Sequence, residues 1–157
     1  MTDAITTPKT TASTRGGLAT REQSLQSPQG TTTIADTVVS KIAGIAAKDV
    51  SGVYTLGGSA SRALGAVRER IPGGRVNHSQ GVSVEVGETQ AAVDIDMIAE
   101  YGVAIADLAA SVRRNVIASI ERMTGLEVTE VNIAVADIHL PEDDRADDDA
   151  DRAPRVQ

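Results

Sequence analysis

The 157-residue sequence contains no cysteine, phenylalanine or tryptophan, and its only aromatic residues are Tyr54 and Tyr101. Without cysteine the chain forms no disulfides and has no thiolate ligands for a metal. The core must therefore be built from valine, isoleucine, leucine and alanine. No apolar run is long enough to span a bilayer, and the N-terminus lacks the apolar stretch of a secretory signal. These absences lead us to expect a cytoplasmic protein.

Charge and polarity divide the chain into three parts. Residues 1–30 are rich in threonine and serine and poor in large apolar side chains, which predicts a disordered N-terminal tail. Residues 142–157 hold seven acidic residues against three arginines, so most of the net charge of −7 lies there. We expect residues 141–157 to be a disordered acidic tail and residues 31–140 to be a single domain.

Two segments have the apolar periodicity of helices. The first is predicted from Ile34 to Val50, with Thr33 as N-cap, Asp36 at the third helical position, and an apolar stripe formed by Ile34, Val38, Ile42, Ile45 and Ala46. The second is predicted from Ile105 to Thr124, with Gly125 as a left-handed C-cap. Between them, residues 64–71 have the spacing of one short helix.

Alternating apolar and polar residues predict the strands. Val82–Val86 and the strand through Val93, Ile95 and Met97 are expected to form an antiparallel hairpin across the turn at residues 87–90. Short strands are also expected at Val53–Leu56 and Val131–Val135. The fold class is therefore α+β: a two-layer sandwich with a small, mainly antiparallel sheet of about four strands, covered on one face by two amphipathic helices. The other face is left for water or a partner.

No pattern of residues indicates a catalytic, cofactor or metal site. The glycines of residues 52–59 have P-loop spacing, but Gly58 occupies the lysine position. The aspartates of residues 147–151 lack the glycine and the final glutamate of a calcium loop. His78 and His139 are isolated, so zinc binding is not predicted. We expect no enzymatic activity, no cofactor and no small-molecule substrate.

Two surfaces remain as candidates for interaction with other molecules. One is the polar sheet face, which carries Asp94, Asp96, Asn132, Ala134 and Ala136. The other is a locally basic stretch that contains Arg62, Arg68, Arg70 and Arg75. Such a stretch could bind nucleic acid or anionic lipid, although the overall acidity and the lack of stacking aromatics count against nucleic acid. An ordinary solvated surface also accounts for both sets of residues.

Several short motifs, in this order and spacing, resemble the alkaline shock protein family of Gram-positive bacteria. They are the hairpin that begins at Gly81, the Tyr101–Gly102 junction, the second helix, residues 123–126 and residues 131–135. The resemblance extends from about Ile34 to Leu140, and the GVSVEVGE stretch is most like the actinobacterial branch. The family has no catalytic residues to transfer to this sequence.

The resemblance implies a non-enzymatic envelope stress response protein. Members of the family are abundant cytoplasmic proteins that gather beneath the membrane, often through a membrane-embedded partner. We therefore expect a self-associating scaffold or adaptor, a homo-oligomer that a small membrane-anchored partner protein recruits to the inner face of the membrane. The alternative is a binding module for nucleic acid or anionic lipid that acts through the arginine-rich stretch 62–75.

Overall fold

The computed structural model describes residues 25–58 and 77–143. A two-stranded hairpin, a helix and a short strand precede residues 59–76, and a hairpin, a second helix and a long strand follow them. In chain order the elements are β1 (Gln26–Ser27), β2 (Gly30–Thr31), α1 (Asp36–Lys48), β3 (Val53–Leu56), β4 (Val82–Val86), β5 (Gln90–Glu100), α2 (Ile105–Thr124) and β6 (Glu127–His139).

Strand β5 is the centre of the main sheet and pairs with three other strands. Strands β3 and β4 lie end to end along one edge of β5, and both are antiparallel to it. Strand β6 runs parallel to β5 along the other edge, from the Gln90–Glu127 pair to the Glu100–His139 pair. This parallel pairing is possible because α2 carries the chain back to the start of the sheet. The predicted four-stranded, mainly antiparallel sheet is confirmed.

Both helices cover the same face of this sheet. On β5, Val93, Ile95 and Met97 alternate toward the helices and are buried, as the sequence predicts for a strand with one covered face. They join one aliphatic core with side chains from both helices, among them Val39, Ala43, Val112, Val116 and Ile120. The predicted two-layer α+β sandwich is therefore confirmed.

Helix α1 differs from its prediction in its start and in its buried face. It begins at Asp36 with Ala35 as N-cap and without a capping side chain, so the predicted Thr33 cap is wrong. Of the predicted apolar stripe, Ile42 and Ala46 are buried as predicted and Ile34 packs against the core, whereas Val38 and Ile45 are 43% and 47% exposed. The buried face consists of Val39, Ser40, Ile42, Ala43, Gly44, Ala46 and Ala47. Small residues occupy most of these positions because they let the helix approach its neighbours closely.

Helix α2 matches its predicted bounds, and Gly125 is its left-handed C-cap. Two of its polar side chains tie it to the rest of the domain. The Asn115 side-chain amide donates to the Ala46 carbonyl of α1 at 2.6 Å. The Thr124 hydroxyl donates to the Ile120 carbonyl and accepts from the Leu126 amide, so it stabilises the turn into β6. Two of these bonds give partners to backbone groups at or next to a helix end, the Ala46 carbonyl and the Leu126 amide.

The predicted tail boundaries stay predictions. The described chain starts at Leu25, which is 8% exposed and joins the core, and the β1–β2 hairpin follows it directly. Residues 1–24 and 144–157 lie outside the described residues, and so does the short helix predicted for residues 64–71.

Gly57 and Gly81 fill the gap between β3 and β4 along the edge of β5. The Gly57 amide donates to the Asp96 carbonyl at 2.7 Å, and the Asp96 amide donates to the Gly81 carbonyl at 2.8 Å. The backbone of Gly81 has a φ of +75°, in the left-handed region. A Cβ on Gly81 would lie 2.6 Å from the Gly57 Cα, closer than van der Waals contact allows. The sheet edge is continuous because residue 81 has no side chain.

We predict that Gly81→Ala lowers the free energy of unfolding by about 2–4 kcal/mol, because it combines a left-handed backbone with a steric overlap. Urea denaturation followed by circular dichroism measures this change. The matched control is Gly87→Ala, whose Cβ would meet its nearest atom at 3.6 Å, an ordinary contact. Equal stability losses in the two variants would contradict the account of the β3–β4 junction.

Candidate interaction surface

The sheet face away from the helices, called the open face here, is strongly acidic. Strand alternation and register place six exposed carboxylates on it: Glu85, Asp94, Asp96, Glu100, Glu130 and Asp137. The described strands contain no lysine or arginine to offset them. The open face therefore carries a negative potential that favours positively charged partners.

The structure brings the predicted residues of the sheet face together. Asp94 pairs with Asn132, and Asp96 pairs with Ala134, on adjacent strands. Ala136 is also exposed, at a point where β6 has one extra residue relative to β5. Their role as an interaction surface stays a prediction. The other predicted candidates, Arg62, Arg68, Arg70 and Arg75, lie outside the described residues.

Asn132 links two of the acidic side chains on the open face. Its side-chain amide donates to the Asp94 carboxylate at 2.9 Å and to the Glu130 carboxylate at 3.1 Å. A neutral amide satisfies acceptors without removing their charge, so the face remains acidic.

The two aspartates of β5, Asp94 and Asp96, line a concavity on the open face. A shallow concavity of about 340 Å³ is lined by Gly81, Val82, Ser83, Asp94 and Asp96, and no histidine is part of that lining. His139 instead stacks on Tyr54. Within residues 25–58 and 77–143 no group of three or more His, Cys, Asp or Glu side chains is placed to hold a metal ion. The concavity presents the exposed carboxylates of Asp94 and Asp96 to solvent.

The outer edge of β6 is capped by side chains over only part of its length. The Arg113 guanidinium donates from Nε to the Val131 carbonyl at 3.0 Å. The Val128 amide donates to the Glu121 carboxylate at 3.3 Å. In the described part of the chain no strand pairs with this edge. Alternate residues of a strand direct their backbone groups to the same edge, so the backbone N–H and C=O groups of Ile133 and Val135 also point away from β5, like the Val131 carbonyl. The edge from Ile133 to Val135, the exposed stretch of β6, is therefore a template for another strand.

One end of the open face, formed by Tyr54, Ile98 and His139, is called the aromatic end here. The rings of Tyr54 and His139 stack with their centroids 3.7 Å apart and their planes 1° from parallel. Their strands, β3 and β6, flank β5 on opposite edges, so the rings meet above β5. Ile98 on β5 is 1% exposed but is not part of the main core, since Met97 and Ala99 on either side of it face the helices. We infer that the stacked rings cover Ile98.

Two β-bulges explain why the rings can meet. β3 has one extra residue, Tyr54, between the Val53–Ala99 and Thr55–Ile98 pairs. β6 has one extra residue, Ala136, between the Met97–Val135 and Ile98–Asp137 pairs. A bulge bends a strand and redirects its side chains. Both irregularities lie at the level of Ile98, so the two flanking strands bend at the same height.

Sequence reasoning missed the aromatic end. Tyr54 and His139 are 85 positions apart, and their contact depends on both flanking strands and both bulges. The available signal was compositional, since Tyr54 is one of only two aromatic residues in the chain.

The described residues thus form a one-sided α+β sandwich with an acidic open face. Residues 24–140 match the profile of the alkaline shock protein 23 family, whose description is a cell envelope-related function. The match spans more than half of the chain, so the protein belongs to this family. The resemblance seen in the sequence is thereby confirmed.

Two relatives illustrate the breadth of the family. An uncharacterized protein of Bacillus subtilis, YqhY, is 38% identical over 111 residues, which is 71% of this chain and 78% of the relative. A stress response regulator gls24 homolog of Streptococcus pyogenes serotype M3 is 36% identical over 117 residues, which is 73% of this chain. The match spans 62% of the streptococcal protein's length. No solved structure matches the chain.

Neither described helix has the length and hydropathy that a membrane crossing requires.

We predict that Ile98→Ala lowers the free energy of unfolding by about 2–4 kcal/mol, because it opens a cavity beneath the stacked rings. Thermal or urea denaturation measures the loss. Ile45→Ala is the matched control, since Ile45 is 47% exposed on α1 and its truncation opens no cavity. If Ile98→Ala costs no more than the control, the rings do not cover a buried side chain.

Proposed function

We propose that this protein is a non-enzymatic scaffold of the envelope stress response. In this proposal it associates with itself, and a membrane-anchored partner recruits it to the inner face of the membrane. Membership of a family with a cell envelope-related function supports the setting, and the streptococcal relative's name supports the link to stress. The observation that carries the scaffold role is the one-sided sandwich, which leaves a sheet face and part of the β6 edge exposed.

The exposed stretch of β6 is suited to antiparallel pairing with the same stretch of a second copy. Centred on Ala134, this pairing places Ile133 of one chain opposite Val135 of the other, and the outward backbone groups of both residues exchange hydrogen bonds. Ala134 then faces its own copy, where only a small side chain fits closely. Asn132 faces Ala136, so no two acidic residues are opposed within residues 132–136. The result is one continuous sheet across two chains.

The alternative function is binding of nucleic acid or anionic lipid through residues 62–75. The acidity of the described sheet face counts against this alternative, because phosphate groups are repelled there. We therefore place self-association first.

We predict that Ala134→Glu weakens self-association by about tenfold or more, because it places two carboxylates opposite each other at the centre of the pairing. Sedimentation equilibrium over a range of protein concentrations measures the dissociation constant. Ser83→Glu adds the same charge to the open face on β4, away from the β6 edge, and is the matched control.

Two results would contradict this assignment. A wild-type chain that stays monomeric at high concentration rules out self-association. An equal effect of Ala134→Glu and Ser83→Glu would show that general repulsion, and not pairing at β6, sets the association.

A further inference from the structure

Both tyrosines of the chain lie at the same end of the sheet, and neither is buried. Tyr54 is 42% exposed and Tyr101 is 70% exposed. The Tyr101 amide donates to the His139 carbonyl at 3.1 Å, which places its backbone beside the aromatic end. Leu140, the next residue after His139, is 41% exposed. In a chain of otherwise aliphatic composition, both tyrosines are thus exposed, and the backbone of one lies beside the residue on which the other stacks. Exposed tyrosines of this kind are typical of the energetic centres of protein interfaces.

The aromatic end is internally packed in the absence of a partner. Stacking fixes the Tyr54 and His139 rings against each other, and Ile98 is buried on the same side of β5. A turn follows directly, in which the Leu140 amide donates to the Asp143 carboxylate at 3.1 Å and the Asp143 amide donates to the Leu140 carbonyl at 3.0 Å. A preorganised surface loses little conformational entropy on binding.

Carboxylates surround the rings. Glu100 pairs with His139 across the strands, and Asp137 pairs with Ile98, so both share the open face with the aromatic end. Asp143 Oδ2 lies 3.9 Å from His139 Nδ1. Aromatic faces beside carboxylates are suited to arginine, whose planar guanidinium stacks on rings and forms paired hydrogen bonds with carboxylates. Charge complementarity therefore selects a basic occupant over an acidic one.

We propose that the aromatic end is the docking surface for an arginine-bearing, otherwise aliphatic segment of the membrane partner. The proposal rests on the proposed function and names the surface through which recruitment occurs. Segments that flank the cytoplasmic side of membrane spans are rich in arginine and lysine, so they have the required chemistry. An arginine of the segment stacks on the Tyr54–His139 pair and bonds Glu100, while aliphatic side chains cover Tyr101 and Leu140.

Site-specific photo-cross-linking in living cells tests this surface. Benzoylphenylalanine replaces Tyr101, a solvent-exposed position that tolerates a large ring, and the full-length chain is expressed at its native level. After irradiation, mass spectrometry identifies the cross-linked peptide. The same probe at Val38, which is 43% exposed on the helix layer, is the positional control. We expect position 101, and not position 38, to cross-link to a basic segment of an integral membrane protein.

Two charge reversals make the test specific. Glu100→Lys in the probe-bearing chain is expected to lower the cross-linking yield by about tenfold, because it replaces the attraction to arginine with repulsion. Glu85→Lys makes the same charge change near the other end of the open face and is expected to keep the yield within about twofold. The thermal melting of each purified variant shows whether it folds.

The outcomes separate this proposal from the proposed function. A chain that sediments with membranes but does not cross-link from position 101 overturns the docking surface and leaves recruitment standing. A cross-link to a second copy of the chain, or to an acidic or neutral segment, also overturns it. Equal losses of cross-linking yield with Glu100→Lys and Glu85→Lys would also overturn the docking surface. A chain absent from the membrane fraction overturns the proposed function and this inference with it.

Discussion

The pairing of β5 along both of its edges is the constraint on which the rest of the structure depends. Because β5 is antiparallel to β3 and β4 on one edge and parallel to β6 on the other, helix α2 must cross over one face of the sheet. Helix α1 packs beside α2 on that same face and completes the core. Both described helices therefore lie on one side of the sheet. The open face and the outer edge of β6 are consequences of this topology, and the proposed scaffold role depends on them.

Periodicity predicted most of this fold because the core is aliphatic and one-sided. On β5, Val93, Ile95 and Met97 alternate with acidic residues, which predicts a strand with one buried face and one solvent-exposed face. The bounds of α2 follow from its apolar stripe and from Gly125. Helix α1 was harder to predict, because two of its large apolar residues, Val38 and Ile45, lie on its exposed side. Its buried face is decided by how closely small residues let it approach α2 and the sheet, which periodicity does not report.

The candidate interaction surface was only half predictable, for a related reason. Asp94, Asp96, Asn132 and Ala134 follow from strand alternation and were predicted together on one face. The stacking of Tyr54 on His139 depends on two bulges that shift the register on both sides of Ile98. No local pattern in the sequence marks a bulge of this kind. A chain poor in aromatic residues nevertheless carries a usable signal, since a tyrosine absent from the core is available for recognition.

The most direct test of the scaffold account is purification of the tagged full-length chain from cells solubilised in mild detergent. Mass spectrometry of the eluate identifies its partners, and mass photometry measures the size of its complexes. The account predicts a membrane protein in the eluate together with complexes that contain more than one copy of the chain. Recovery of the monomer alone, or of the monomer with RNA, would contradict it and would favour binding through the arginine-rich stretch.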